Sequence, residues 1–136
     1  MLQCSLEFDV EVVDEQRHLN GMRYIWIEGC ASDGAGSWTL ALNYGRPKDE
    51  ESSLEEGDAA ITGPNGSIFA GLESGRADIV NDEVSGDERE LLSLALRVSG
   101  GDGKYAGVTG SALIRGELAG VEGRLTAELS VETLAC

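Results

Sequence analysis

Few side chains in this sequence could carry acid–base, nucleophilic or metal chemistry, and their spacing excludes most of the devices that use them. His18 is the sole histidine, so no imidazole cluster can hold a metal. A Ser-His-Asp or Cys-His device would depend on that one ring, which lies in a polar stretch between two expected strands, the setting of an exposed surface histidine. Cys4, Cys30 and Cys136 are odd in number and lack a Cys-x-x-Cys pair, which argues for reduced structural thiols over a zinc site or a disulfide framework. The acidic run 49–58 lacks the residue order of a calcium loop and is expected to be a solvated loop. The segment Gly100-Gly101-Asp102-Gly103-Lys104-Tyr105-Ala106-Gly107 fails as a phosphate loop because Tyr105 stands where Ser or Thr should follow Lys104. It fails as a dinucleotide fingerprint because position 106 is Ala and a strand follows instead of a helix. No metal and no cofactor is expected.

What remains is aromatic. Tyr24, Trp26 and Glu28 share one face of residues 22–28, and Trp38, Leu40, Leu42 and Tyr44 share one face of residues 38–44. These two are the candidate inner faces, although the residues alone do not decide which face of either strand points inward. The aromatics then either fill a core or line an apolar cavity with polar handles. Phe69 and Ile114, on strands further along the chain, complete the candidate lining. Glu28 is the odd member: a carboxylate on an aromatic face sits either at a barrel mouth or in a site that raises its pKa.

The elements that would position these residues are strands. Cys4, Leu6, Phe8, Val10 and Val12 alternate with Gln3, Ser5, Glu7, Asp9 and Glu11, and Leu125, Ala127, Leu129 and Val131 alternate with polar neighbours. Period two is the mark of a strand with one buried face. Further strands are expected over residues 58–62, 67–72, 75–81, 88–98 and 111–118, with turn material at 29–36 and a turn at Gly63-Pro64-Asn65-Gly66. Residues 48–56 could hold one exposed helical turn. Eight or nine short strands with Gly-rich turns predict an all-β fold, a single antiparallel eight-stranded closed barrel spanning residues 1–136, since closure leaves no edge strand.

Composition narrows the partners. The 136 residues carry 25 acids against 10 bases, a formal charge of −15, which repels nucleic acid and anionic lipid alike. The first residues show neither the basic region nor the apolar run of a secretory signal, and no apolar run reaches bilayer length, so a soluble cytoplasmic chain is expected. Asn65-Gly66-Ser67 is accordingly a turn and not a glycosylation acceptor.

The loop Gly100 to Ser111, followed by a strand, a short turn at Gly120 to Gly123 and a last strand, resembles the final hairpins of the allene oxide cyclase and dirigent barrels. Gly103-Lys104-Tyr105-Ala106-Gly107-Val108-Thr109-Gly110 is similar to the loop of the bacterial spirotetronate cyclases, Diels-Alderase-type barrels of polyketide pathways. The resemblance covers about the last 45 residues. It implies that Tyr105 plugs a barrel end, and that the chain pairs with copies of itself, a dimer being favoured. Those cyclases present an aromatic on the strand after the loop, whereas the matching face here is Ala112, Ile114, Gly116 and Leu118. The pocket would then be roomier, or would hold no active site.

The resemblance leads to a cofactor-free cyclase or isomerase of a hydrophobic, unsaturated small molecule, such as a polyketide intermediate. Catalysis would come mainly from holding the substrate in a reactive conformer. In that reading Tyr24, Trp26, Trp38, Tyr44, Phe69 and Ile114 bind the substrate, and Glu28 or Tyr105 polarises a carbonyl. The alternatives are a non-catalytic carrier barrel for an apolar ligand, and a structural subunit with a filled barrel.

Overall fold

In the computed structural model, residues 2–17, 21–31, 38–46, 54, 56–81 and 88–132 are described. They form eight strands: β1 (Leu2–Arg17), β2 (Arg23–Ala31), β3 (Thr39–Arg46), β4 (Glu56–Gly63), β5 (Gly66–Asn81), β6 (Glu88–Gly101), β7 (Thr109–Ala119) and β8 (Glu122–Glu132). Each pairs antiparallel with its neighbours in sequence, and β1 pairs with β8, so the sheet closes as an up-and-down barrel. The all-β, eight-stranded barrel expected from the alternation is the fold. No helix among the described residues is long and apolar enough to cross a membrane.

Closure follows from the two most strictly alternating segments. β1 and β8 meet with Leu6 opposite Ala127, Phe8 opposite Leu125 and Cys4 opposite Leu129, so both apolar faces turn into one lumen while Glu7, Asp9 and Glu128 face outward. Phe8, Ile25, Leu94, Ile114, Leu125 and Ala127 are inaccessible to solvent, so no water-sized space adjoins them. An eight-stranded barrel is just narrow enough for side chains to fill it, and aliphatic residues fill the middle of this one.

Two details differ from the sequence reading. The segments 67–72 and 75–81 are one strand, β5, interrupted by a bulge between Leu72 and Ser74 that bends the chain without breaking the ladder. The stretch 29–36 is not turn from its start, because β2 continues through Ala31, where Phe8 of β1 is its partner. His18, Cys136, most of the acidic run and most of the expected helical turn at 48–56 lie outside the described residues. Leu54 is described and is buried in the core.

The two ends of the barrel differ in chemistry. At one end a single 3₁₀ turn, Gly103–Tyr105, crosses beneath the β4–β5 hairpin. Asp102 Oδ1 accepts from the Ser67 N–H at 2.7 Å and the Lys104 N–H donates to Asn65 O at 2.8 Å, which pins the two loops together. Tyr105 is buried there with its ring centroid 6.3 Å from that of Trp38, and the pair closes this end. At the other end the lumen finishes in charged side chains.

Candidate functional site

The charged end is built by residues that continue the inward faces of their strands. Tyr44 follows Leu40 and Leu42 in phase on β3, and Arg46 stands one step further out. On β6, Glu90 is in phase with Leu92, Leu94 and Leu96, and on β2 Arg23 is in phase with Ile25 and Ile27. Each strand thus exchanges aliphatic for polar side chains as it leaves the core, as expected where a barrel opens.

The Tyr44 hydroxyl crosses the lumen to donate to Glu90 Oε1 at 2.9 Å. β3 and β6 are not neighbours in the sheet, so only a side chain of that length could bridge them. The ring is 1% exposed and the Glu90 side chain 11%. Arg46 Nη1 lies 3.9 Å from the same Glu90 oxygen, and Arg23 Nε holds Glu15 Oε1 at 2.6 Å. Burial pushes the Tyr44 pKa well above its ordinary value, and the charge and hydrogen bond of Glu90 push it further, against the opposing pull of Arg23 and Arg46. The raised pKa favours the protonated phenol, which is the donor in its hydrogen bond to Glu90. Arg23 loses some basicity to burial, but its hydrogen bond with Glu15 and the charge there more than restore it, so its pKa stands above the ordinary value.

Glu15, Arg23, Arg89 and Glu90 open onto a concavity of about 330 Å³ whose apolar side is Ile79 and Leu118. It can orient a polar head group: Arg23 and Arg89 offer donors and Glu90 offers a carboxylate acceptor or base, while Tyr44 lies behind Glu90, bonded to it, and does not line the concavity itself. Larger concavities of about 780 and 640 Å³ lie on the outer wall, around Glu11, Cys30 and Glu122 and around Glu73, Leu113 and Glu128. They gather no buried polar side chain, which makes the mouth the stronger candidate.

The structure separates the residues singled out from sequence. Tyr44 is at the mouth, Ile114 is in the packed middle of the lumen, and Trp38 and Tyr105 close the far end. Tyr24, Trp26 and Glu28 do not face inward. Ile25 and Ile27 take the lumen, and the aromatic face of β2 is on the outside. The physical reason is Glu28: turning Trp26 inward would carry an unpaired carboxylate into the aliphatic core. Phe69 is likewise outside, 41% exposed, while Ile68 and Ala70 are buried. Trp26, Glu28 and Phe69 border one concavity of about 300 Å³, but it lies on the outer wall. Tyr24 lies beside Trp26, ring centroids 6.4 Å apart, with its hydroxyl donating to Glu56 Oε1 at 2.5 Å. Glu28 and Tyr105, the two expected polar contacts, are thus not brought to one site.

Glu90, Arg46 and Arg23 were missed by sequence reasoning. The available signal was their phase: Glu90 and Arg23 stand just beyond the last aliphatic member of an apolar face, and Arg46 just beyond Tyr44 on another.

No protein-family model matches the chain, and no curated protein matches it by sequence. Among solved structures, a pyocyanin demethylase is similar, with a TM-score of 0.55 and 13% sequence identity over 95% of this chain and 100% of that one. At that identity the likeness establishes a shared barrel fold.

Proposed function

We propose that the chain is a cofactor-free isomerase or cyclase of a small unsaturated carbonyl compound, acting at the barrel mouth. The observation that carries this reading is the Tyr44–Glu90 hydrogen bond, a neutral phenol and a carboxylate held together at the edge of an apolar core with Arg46 beside them. A carbonyl oxygen entering the mouth takes the Tyr44 hydrogen bond in place of Glu90, which frees the carboxylate. Glu90 then removes a proton from the carbon between carbonyl and alkene, and the electron pair moves to the carbonyl oxygen. Tyr44 and Arg46 stabilise that oxyanion, and Glu90 returns the proton to the far carbon, so the conversion is mass-neutral. The similar solved structure is named for a reaction on pyocyanin, which supports a barrel of this shape serving small-molecule chemistry.

Ring closure by confinement alone, as for a polyketide folded inside a barrel chamber, is not what the geometry favours. The lumen that would enclose such a substrate is occupied by Phe8, Ile25, Leu94 and Ile114. The same filled lumen favours, as the second reading, a barrel that binds such a ligand at its mouth without converting it.

The test is conversion of a panel of β,γ-unsaturated ketones, followed by the gain of conjugated absorbance. Glu90→Gln and Tyr44→Phe are each expected to slow it by about 10² or more. Saturable binding without conversion, weakened by Glu90→Gln, selects the second reading. Absence of both overturns the assignment to the mouth.

A further inference from the structure

The outer wall from β2 to β5 carries a trough that the mouth does not use. Cross-strand partners set two outward rows over these strands: Glu28, Ala41, Ala60 and Phe69 in one, and Trp26, Asn43, Asp58 and Gly71 in the next. The two large aromatics stand on the first and last of these four strands, which are three strand spacings or about 14 Å apart, and in different rows. Between them the floor is made of two alanine methyl groups, an amide and a carboxylate, and the hollow measures about 300 Å³. A floor of small residues between Trp and Phe walls is the shape that receives a flat ring system.

The charge on the trough is as informative as its shape. Elsewhere on the outer wall arginines meet carboxylates: Arg124 is 3.2 Å from Asp9 and 3.7 Å from Glu7, Arg115 is 2.9 Å from Glu128, and Arg97 is 3.2 Å from Glu73. Glu28 and Asp58 border the trough with no such partner among the described residues. A second copy of the chain is a poor occupant, since a two-fold contact here would set these acids against their own copies on chains that each carry a formal charge of −15. An anion is repelled, and a neutral ring leaves both carboxylates unanswered.

We propose that this trough binds a planar cationic aromatic molecule, an N-alkylated or protonated nitrogen heterocycle of two or three fused rings. Its face stacks on Trp26, its far edge meets Phe69, and its positive charge lies beside Glu28 and Asp58. The site is independent of the reaction assigned to the mouth.

The probes are N-methylacridinium and its neutral counterpart acridine, titrated calorimetrically at a pH where acridine is unprotonated. Trp26 emission is followed in parallel in a Trp38→Phe background. N-methylacridinium is expected to bind one-to-one, about fivefold or more tighter than acridine, and less tightly as salt is raised. Ala41→Leu, an exposed change that fills the floor, is expected to weaken it about tenfold, and Glu28→Gln and Asp58→Asn about threefold each. Glu90→Gln leaves it unchanged, so failure at the mouth and failure here are told apart. Binding that survives Ala41→Leu is unspecific attraction to an acidic chain and overturns the proposal, as do equal affinity for acridine and absence of saturable binding. Self-association abolished by Phe69→Lys, without cation binding, assigns the face to a second copy and overturns it too.

Discussion

The Tyr44 hydroxyl and Glu90 Oε1 are 2.9 Å apart across the lumen, on strands that share no ladder. The bond therefore ties opposite walls of the barrel at its open end, where the ladder hydrogen bonds link only neighbours. A double-mutant cycle of Tyr44→Phe and Glu90→Gln is expected to return a coupling of about 1–2 kcal/mol in urea unfolding. A coupling near zero would mean the two groups are solvated separately.

The same pair makes stability depend on alkaline pH. The Tyr44 pKa is raised in the folded chain, by burial first and then by Glu90, above its ordinary value of 10.0. Below pH 10 both states hold the phenolic proton, and the contribution is constant. Above it the unfolded chain releases the proton while the folded chain keeps it, so stability falls as pH rises. The wild-type protein is expected to lose about 1.4 kcal/mol per pH unit more than Tyr44→Phe once pH exceeds 10. Parallel melting curves of the two proteins from neutral pH upward check this, and equal slopes would contradict it.

Legibility from sequence tracked how many of a strand's two faces are apolar. In β1 only the set Leu6, Phe8 and Val10 is apolar, so the inward face could be read directly, and it is the inward face. In β2, Tyr24 and Trp26 compete with Ile25 and Ile27, and the choice is made by what accompanies each face: a carboxylate at Glu28 on one, Gly29 on the other. In β5 the bulge between Leu72 and Ser74 inverts the phase, so that Ile68 and Ala70 point inward before it and Ala77 after it. A strict period therefore splits that strand in two. The mouth was hidden for a different reason. Charged residues in phase with an apolar face are visible in sequence, but that Tyr44 and Glu90 meet depends on closure of the whole barrel.

A packed lumen predicts what happens when it is emptied. Ile114 is inaccessible to solvent in the middle of the barrel, and Ile114→Ala is expected to cost about 3 kcal/mol and to leave an apolar void. Such voids stay dry and accept small apolar molecules. Benzene should raise the melting temperature of the variant and leave the wild-type protein unmoved. If benzene stabilises both equally, the wild-type lumen already holds space.

Two glycines with positive φ separate backbone strain from crowding. Gly110 (φ 146°) lies within β7, where an added Cβ would stand 2.2 Å from Ser130 O and 2.7 Å from Val131 Cα. Both are backbone atoms of the β8 ladder, so no side-chain rotation can relieve the contact. Gly120 (φ 70°) is in the turn between β7 and β8, and an added Cβ there meets nothing within 4 Å. Gly120→Ala is expected to cost about 1 kcal/mol, the conformational penalty alone. Gly110→Ala adds displacement of β8 from β7 and is expected to cost about 3 kcal/mol or more. Urea midpoints measured side by side decide it: similar losses at both positions would mean that β7 and β8 are not held at the spacing that makes Gly110 necessary.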